Sequence, residues 1–340
     1  MLAENVVEYR EGEPLRPFAV ERDLSALADL IEVAFKDELQ RTANSLVAEI
    51  RRLAKLGPVL WLVGGSQGFL PPLMDGYVWV ADGKLVGNVS LMRESGARGL
   101  WSISNVAVLP AYRLQGIARR LMEAAICKAI DRGARQLILE VGAENEPARH
   151  LYRSLGFVAY DTVHELVMPR IRWPEQVSQS EQPLRPRRAH DASAMYDLAR
   201  SVTPQMAQDI QPITLSRYEW RFAHRLSVWL GRVLGRSIRS TWVLEDAKRI
   251  VAALEITERY RPDAHQIDIM AHPQLRGTVE RELLDKAFLE LDRSRLDLKA
   301  SASAAHAEAV QAFEEAGFET MRVLARMKLD LNTMRHGVVL

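Results

Sequence analysis

The sequence predicts an α+β fold built twice in tandem, each copy a sheet of mostly antiparallel strands covered by helices. Three observations carry this. First, the 340-residue chain repeats itself. Leu15-Arg16-Pro17 with Asp23, Ser25-Ala26 and Asp29-Leu30 recurs as Leu184-Arg185-Pro186 with Asp191, Ser193-Ala194 and Asp197-Leu198. Val80, Asp82, Lys84 and Val86 recur as Leu244, Asp246, Lys248 and Ile250. Leu121, Met122, Ala125 and Ile126 recur as Leu283, Leu284, Ala287 and Phe288, and Ala148, Tyr152, Gly156 and Phe157 as Ala309, Phe313, Gly317 and Phe318. Similarity in one order along the whole length means duplication of a domain. Second, each half reads as a short strand, one or two helices, a run of antiparallel strands, then strand-helix-strand-helix, an α+β order. Third, a polar stretch without apolar period joins the halves. The expected domains are 1–172 and 184–340, with a linker at 173–183.

The most structured stretch runs from Trp101 to Phe157. Trp101 and Ile103 alternate with Ser102 and Ser104, the period of a half-buried strand. The apolar run restarts at Val106 and Val108 with opposite parity. That slip at Ser104-Asn105 predicts a β-bulge, which bends a strand and interrupts its ladder. Pro110 ends the strand for want of an amide donor. Ile117, Leu121, Met122, Ala125, Ile126, Ala129 and Ile130 then share one face of a helix that stops at Gly133. The connecting loop holds Arg113 and Gly116. Free amides at a helix N-terminus, the helix dipole and a missing side chain suit a phosphate. An ordinary strand-to-helix turn would show the same glycine.

Arg113-x-x-Gly116-x-Ala118 after Val106-Ala107-Val108 resembles the pyrophosphate-arm signature of the GNAT superfamily of N-acyltransferases. Leu139-Glu140-Val141, Asn145, Ala148, Leu151-Tyr152 and Leu155-Gly156-Phe157 follow in that family's order and spacing. The first half is most similar to the ribosomal-protein alanine acetyltransferases, and the tandem layout resembles mycothiol synthase. The resemblance implies a mixed sheet splayed in the middle into a V-shaped cleft for acetyl-CoA, the co-substrate. It implies pantetheine contacts from Val106, Ala107 and Val108. Phosphate contacts would come from Arg113, Leu114, Gln115, Gly116, Ile117, Ala118 and Arg119, and a further contact from Asn145. Tyr152 matches the family's general acid and Glu140 its general base, although a strand carboxylate beside Leu139 and Val141 could equally be solvated. The second half departs at the chemical positions: Ser301 falls against Glu140, Phe313 against Tyr152 and His306 against Asn145. It is expected to be a degenerate copy.

Composition narrows the rest. With 48% hydrophobic and 26% charged residues and a net charge of +1, the chain reads as a globular protein with no global field for nucleic acid. No apolar run reaches membrane-span length, and one cysteine, Cys127, excludes an internal disulfide, so the expected compartment is the cytoplasm. The eight histidines form no His-x-x-x-His pair with acidic company, so no metal is expected. The segment from Gly57 to Tyr77, broken by five further glycines and prolines between Gly64 and Pro72, is expected to be a substrate lid. Arg217, Arg221, Arg225, Arg232, Arg236 and Arg239 would line one side of a helix, as a solvated basic face or as a dock for an acidic surface. The expected activity is acetyl transfer to a primary amine, on a small molecule or a protein N-terminus, by direct attack within the first half. The competing reading is a protein that binds acyl-CoA for regulation without turnover. Loops with no shared motif would choose the acceptor.

Overall fold

The computed structural model describes residues 14–35, 75–94, 97–174, 184–219, 237–247, 249–259, 264–291 and 296–332. Most of the expected lid, Gly57 to Tyr77, lies outside the described residues. The chain folds as two compact units. The first comprises Met1–Val141, Glu146–Ala159 and Met327–Leu340, and the second Gly142–Asn145 and Tyr160–Arg326.

The first unit starts with β1 (Leu15–Pro17) and α1 (Val20–Ala34) and continues through β2 (Gly76–Ala81), β3 (Lys84–Arg93) and β4 (Leu100–Val108). It then runs α2 (Ile117–Asp131), β5 (Gln136–Gly142) and α3 (Glu146–Ser154). β1 to β4 pair antiparallel in sequence order, and β5 adds parallel to β4. Helix α1 forms because Leu24, Leu27, Ala28 and Ile31 recur at helical spacing and bury together with Phe18, Val20 and Phe35. The predicted stripe on α2 is equally clear: Ile117, Leu121, Met122, Ala125, Ile126 and Ala129 are buried. β4 and β5 pair only over Leu100–Ser102 against Gln136–Ile138, although both strands continue. Beyond Ser102 they part, and this opening is the splay of the sheet.

The second unit contains β6 (Val158–Met168) from Tyr160 onward, β7 (Arg185–Pro186), α4 (Ala192–Val202) and α5 (Gln205–Ile210). It continues with β8 (Ser237–Asp246), β9 (Arg249–Arg259), β10 (His265–Ala271), α6 (Glu280–Leu291), β11 (Leu298–Ser303), α7 (Ala307–Glu315) and β12 (Glu319–Asp330) up to Arg326. Its strand order is β12-β6-β11-β10-β9-β8-β7. β10 and β11 are parallel, and their pairing stops after Ile267 and Ala300, the same splay as in the first unit. The core gathers Leu254, Ile256, Leu283, Leu284, Phe288 and Phe313.

Each unit carries the same ion pair near its start. Arg16 grips Asp23 through two bonds of 2.6 and 2.7 Å, and Asp23 also accepts the Ala19 amide at 2.8 Å. Arg185 grips Asp191 at 2.7 and 3.0 Å, and Asp191 accepts the Arg188 amide at 2.6 Å.

The arginine stripe is corrected at both ends. Arg217 closes a single 3-10 turn, Leu215–Arg217, and Arg239 lies in β8, paired with Glu255 at 3.2 Å. Strand pairing of β8 with β9 outcompetes helical periodicity there. Arg221, Arg225, Arg232 and Arg236 lie outside the described residues.

Candidate functional site

The bulge forms where the sequence places it. Asn88 faces Ala107 and Ser90 faces Ser104, so Val89 alone opposes both Asn105 and Val106. Asn105 takes the left-handed conformation at φ 51°, which asparagine tolerates better than most residues. Two residues that the pattern did not flag hold this kink. The buried Asn88 side chain donates to the Asn105 carbonyl at 3.0 Å and to the Ser90 hydroxyl at 3.3 Å, and the Asn105 side chain donates to the same hydroxyl at 3.3 Å. Both Asn88 and Ser90 are only 1% exposed. The available signal was two polar residues in an otherwise apolar strand, since buried polar groups there need partners.

From the bulge the chain passes through the turn Pro110–Tyr112 into the loop. Arg113 ties loop to strand by donating Nε to the Val108 carbonyl at 3.2 Å. Gly116 caps α2 at φ 78°, and among the described residues no atom beyond its chain neighbours lies within 4 Å of where its Cβ would stand. A phosphate could therefore approach the backbone, as the missing side chain implies. The first turn of α2 holds no acid, and the Arg119 guanidinium bonds Ser154 Oγ at 2.6 Å. Leu114 is fully exposed at φ 63°, and Gln115 Nε2 bonds the Ala111 carbonyl at 3.4 Å. Ile117 is buried under the helix, and Ala118 is half-buried beside the loop.

Tyr152 sits on the buried side of α3, 6% exposed, with its ring 6.1 Å from that of Phe157. Burial pushes its phenol up to about 12, so it keeps its proton throughout the neutral range. Glu140 is exposed on β5 between buried Leu139 and Val141. Strand β4, the opened edge of β5, the loop and Tyr152 thus belong to one unit. Asn145 is instead grouped with the second unit, its amide donating to the Gly142 carbonyl at 2.9 Å.

The second unit repeats the frame with other side chains at these positions. Phe313 and Phe318 stack edge to face at 5.0 Å where Tyr152 and Phe157 stand. Phe313 is fully buried. β9 and β10 pair without a register shift from Gln266 to Ala271, so the bulge is missing. Gly277 keeps φ 78°.

Residues 61–157 match the Acetyltransferase (GNAT) family. The chain carries a GNAT acetyltransferase domain. The chain is similar to the [ribosomal protein bS18]-alanine N-acetyltransferase of Escherichia coli, 46% identical over 56 residues, 16% of this chain and 38% of that one. It is also similar to the streptothricin acetyltransferase of Streptomyces lavendulae, 42% identical over 77 residues, 23% of this chain and 40% of that one. The chain thus spans about two-fifths of the length of the curated relatives it matches. Over the whole chain the fold is that of a GCN5-related N-acetyltransferase from Sphaerobacter thermophilus, with a TM-score of 0.65, 16% identity, and coverage of 95% and 97% of the two chains. A tandem GNAT protein from the clavulanic acid biosynthesis pathway matches at TM-score 0.55 and 15% identity, covering 93% and 98%.

Proposed function

We propose that the first unit is an acetyl-CoA-dependent N-acetyltransferase acting on a primary amine, and that it holds the one productive site of the chain. The observation that carries this reading is the braced bulge at Asn105 beside the opening between β4 and β5, followed by the open space at Gly116 before α2. A strand edge released from its ladder can pair with the amides of pantetheine, and a helix N-terminus can hold the pyrophosphate. Val106, Ala107 and Val108 supply the first and the segment from Arg113 to Arg119 the second.

In the proposed reaction the free amine attacks the thioester carbonyl, forming the C–N bond and then breaking the C–S bond. The departing thiolate takes the phenolic proton of Tyr152, and the nitrogen loses its proton to Glu140, directly or through water. The buried phenol supports the first role, because it keeps its proton from the neutral range up to near pH 12. The exposed carboxylate of Glu140 supports the second, since an acceptor or a water can reach it. The acceptor is a small-molecule amine or a protein N-terminus. A panel of peptides, polyamines, aminoglycosides and amino acids, read by CoA release, distinguishes these.

The test of the site is Tyr152→Phe. It should lower kcat about 10²-fold or more while acetyl-CoA affinity stays within about twofold, the pattern of a lost transition-state interaction. Full turnover by this variant would assign the acid elsewhere. The wild-type rate should also show no loss from Tyr152 ionisation below pH 10, because the group titrates near 12.

A further inference from the structure

The loop of the second unit has the geometry of an anion site and an occupant of its own. Counting back from the shared core positions Leu121 and Leu283, Glu280 stands where Ala118 stands in the first unit. It opens α6 and is only 2% exposed. Its carboxylate turns back onto the loop. Oε2 accepts the Val279 amide at 3.2 Å. The Thr278 amide is taken by the Leu275 carbonyl at 3.1 Å. Oε1 meets His306 Nε2 at 2.8 Å, in a pair whose side chains are 2% and 11% exposed. Burial by itself would raise the pKa of the Glu280 carboxyl, but the hydrogen bond to His306 and the backbone around it outweigh burial and bring it below the ordinary carboxylate value.

The flank of the loop is closed as well. Arg276, which follows the turn Pro273–Leu275 as Arg113 follows Pro110–Tyr112, donates Nη1 to the Ala305 carbonyl at 2.6 Å. Cγ of Glu308 lies 3.8 Å from where a Gly277 Cβ would stand, whereas that space is empty at Gly116. A pyrophosphate entering here would have to displace the buried Glu280 carboxylate. Like charge and occupied donors both oppose it.

We propose that Glu280, fixed by His306, is a built-in anion that fills the phosphate cradle of the second unit, so that this unit takes no acyl-CoA. The inference concerns occupancy of the second loop and does not depend on turnover in the first unit. Calorimetric titration of the full chain with CoA tests it directly. One equivalent or none per chain agrees with it, and none would at the same time sink the function proposed for the first unit. Two equivalents overturn it. A second titration uses inorganic pyrophosphate on Glu280→Ala protein that melts cooperatively. Freeing the Val279 amide beside His306 should raise the stoichiometry by one site per chain over wild type, and a folded variant that gains no site overturns the assignment.

Discussion

At the residue scale, two buried polar side chains decide more than their neighbours. Asn88 is the only described side chain donating to the Asn105 carbonyl, so Asn88→Ala leaves that carbonyl and the Ser90 hydroxyl short of a partner. The expected cost is about 1–3 kcal/mol in denaturant melts, together with a weaker Kd for acetyl-CoA. A variant that loses stability but binds acetyl-CoA as tightly would separate Asn88 from the cofactor edge. Asp23 makes a different kind of contribution. Burial raises the pKa of its carboxyl, but the Arg16 bonds and the Ala19 amide outweigh burial and bring it below the ordinary carboxylate value. A depressed folded pKa gives stability that is present above the unfolded value and lost as pH falls through the folded one. Asp23→Ala, which strands the Arg16 charge, should cost about 3 kcal/mol at neutral pH and less in acid, checked by melting from pH 7 down to pH 2. An equal deficit at every pH would refute it.

At the element scale, α3 and α7 show how a duplicated helix can keep its packing and lose its reactive group. Both are nine residues long and both end in a left-handed glycine, Gly156 or Gly317. In each, the amide of Phe157 or Phe318 bonds the carbonyl of Tyr152 or Phe313 at 3.0 Å. Under the proposed mechanism a tyrosine serves one helix as ring and proton donor together, and a phenylalanine serves the other as ring alone. Phe313→Ala should therefore act only on stability, costing about 3–5 kcal/mol by the cavity it leaves in a fully buried position. Melting measures that cost, and acetyl-CoA affinity of the folded fraction should stay unchanged. A change in affinity would contradict the separation of roles.

At the scale of the whole molecule, the chain leaves the first unit after Ala159 and returns to it at Met327. There the Leu331 amide bonds the Arg135 carbonyl at 2.8 Å, and the end of β12 stands next to β5. By the repeat, β6 follows α3 as β12 follows α7, yet β6 from Tyr160 belongs to the second unit. We propose that residues 1–172 are a domain by ancestry and not a folding unit by themselves. Expressed alone, they should aggregate or melt without cooperativity, because β5 would present an open edge. A fragment with a sharp thermal transition and acetyl-CoA affinity equal to the full chain would overturn this.

The sequence by itself determined the duplication, the amphipathic stripe of α2, the bulge at Ser104-Asn105 and the loop glycine. Each of these is a local pattern: a period, a slip of parity, a residue type that one backbone conformation requires. The loss of Tyr152 and Glu140 from the second half was legible for the same reason. Only the tertiary structure decided what depends on partners distant in the chain. Asn88 and Ser90 brace the bulge from a neighbouring strand, and no spacing along one strand encodes that. Arg239 joins a strand because β9 offers it a ladder, although its spacing from Arg217 to Arg236 reads as helical. Glu280 has no signature in the sequence, because its partners are His306, 26 residues on, and the Val279 amide, both brought to its carboxylate by the fold. Hydrogen bonds and ion pairs are fixed by position in space, and duplication kept the frame while these contacts diverged.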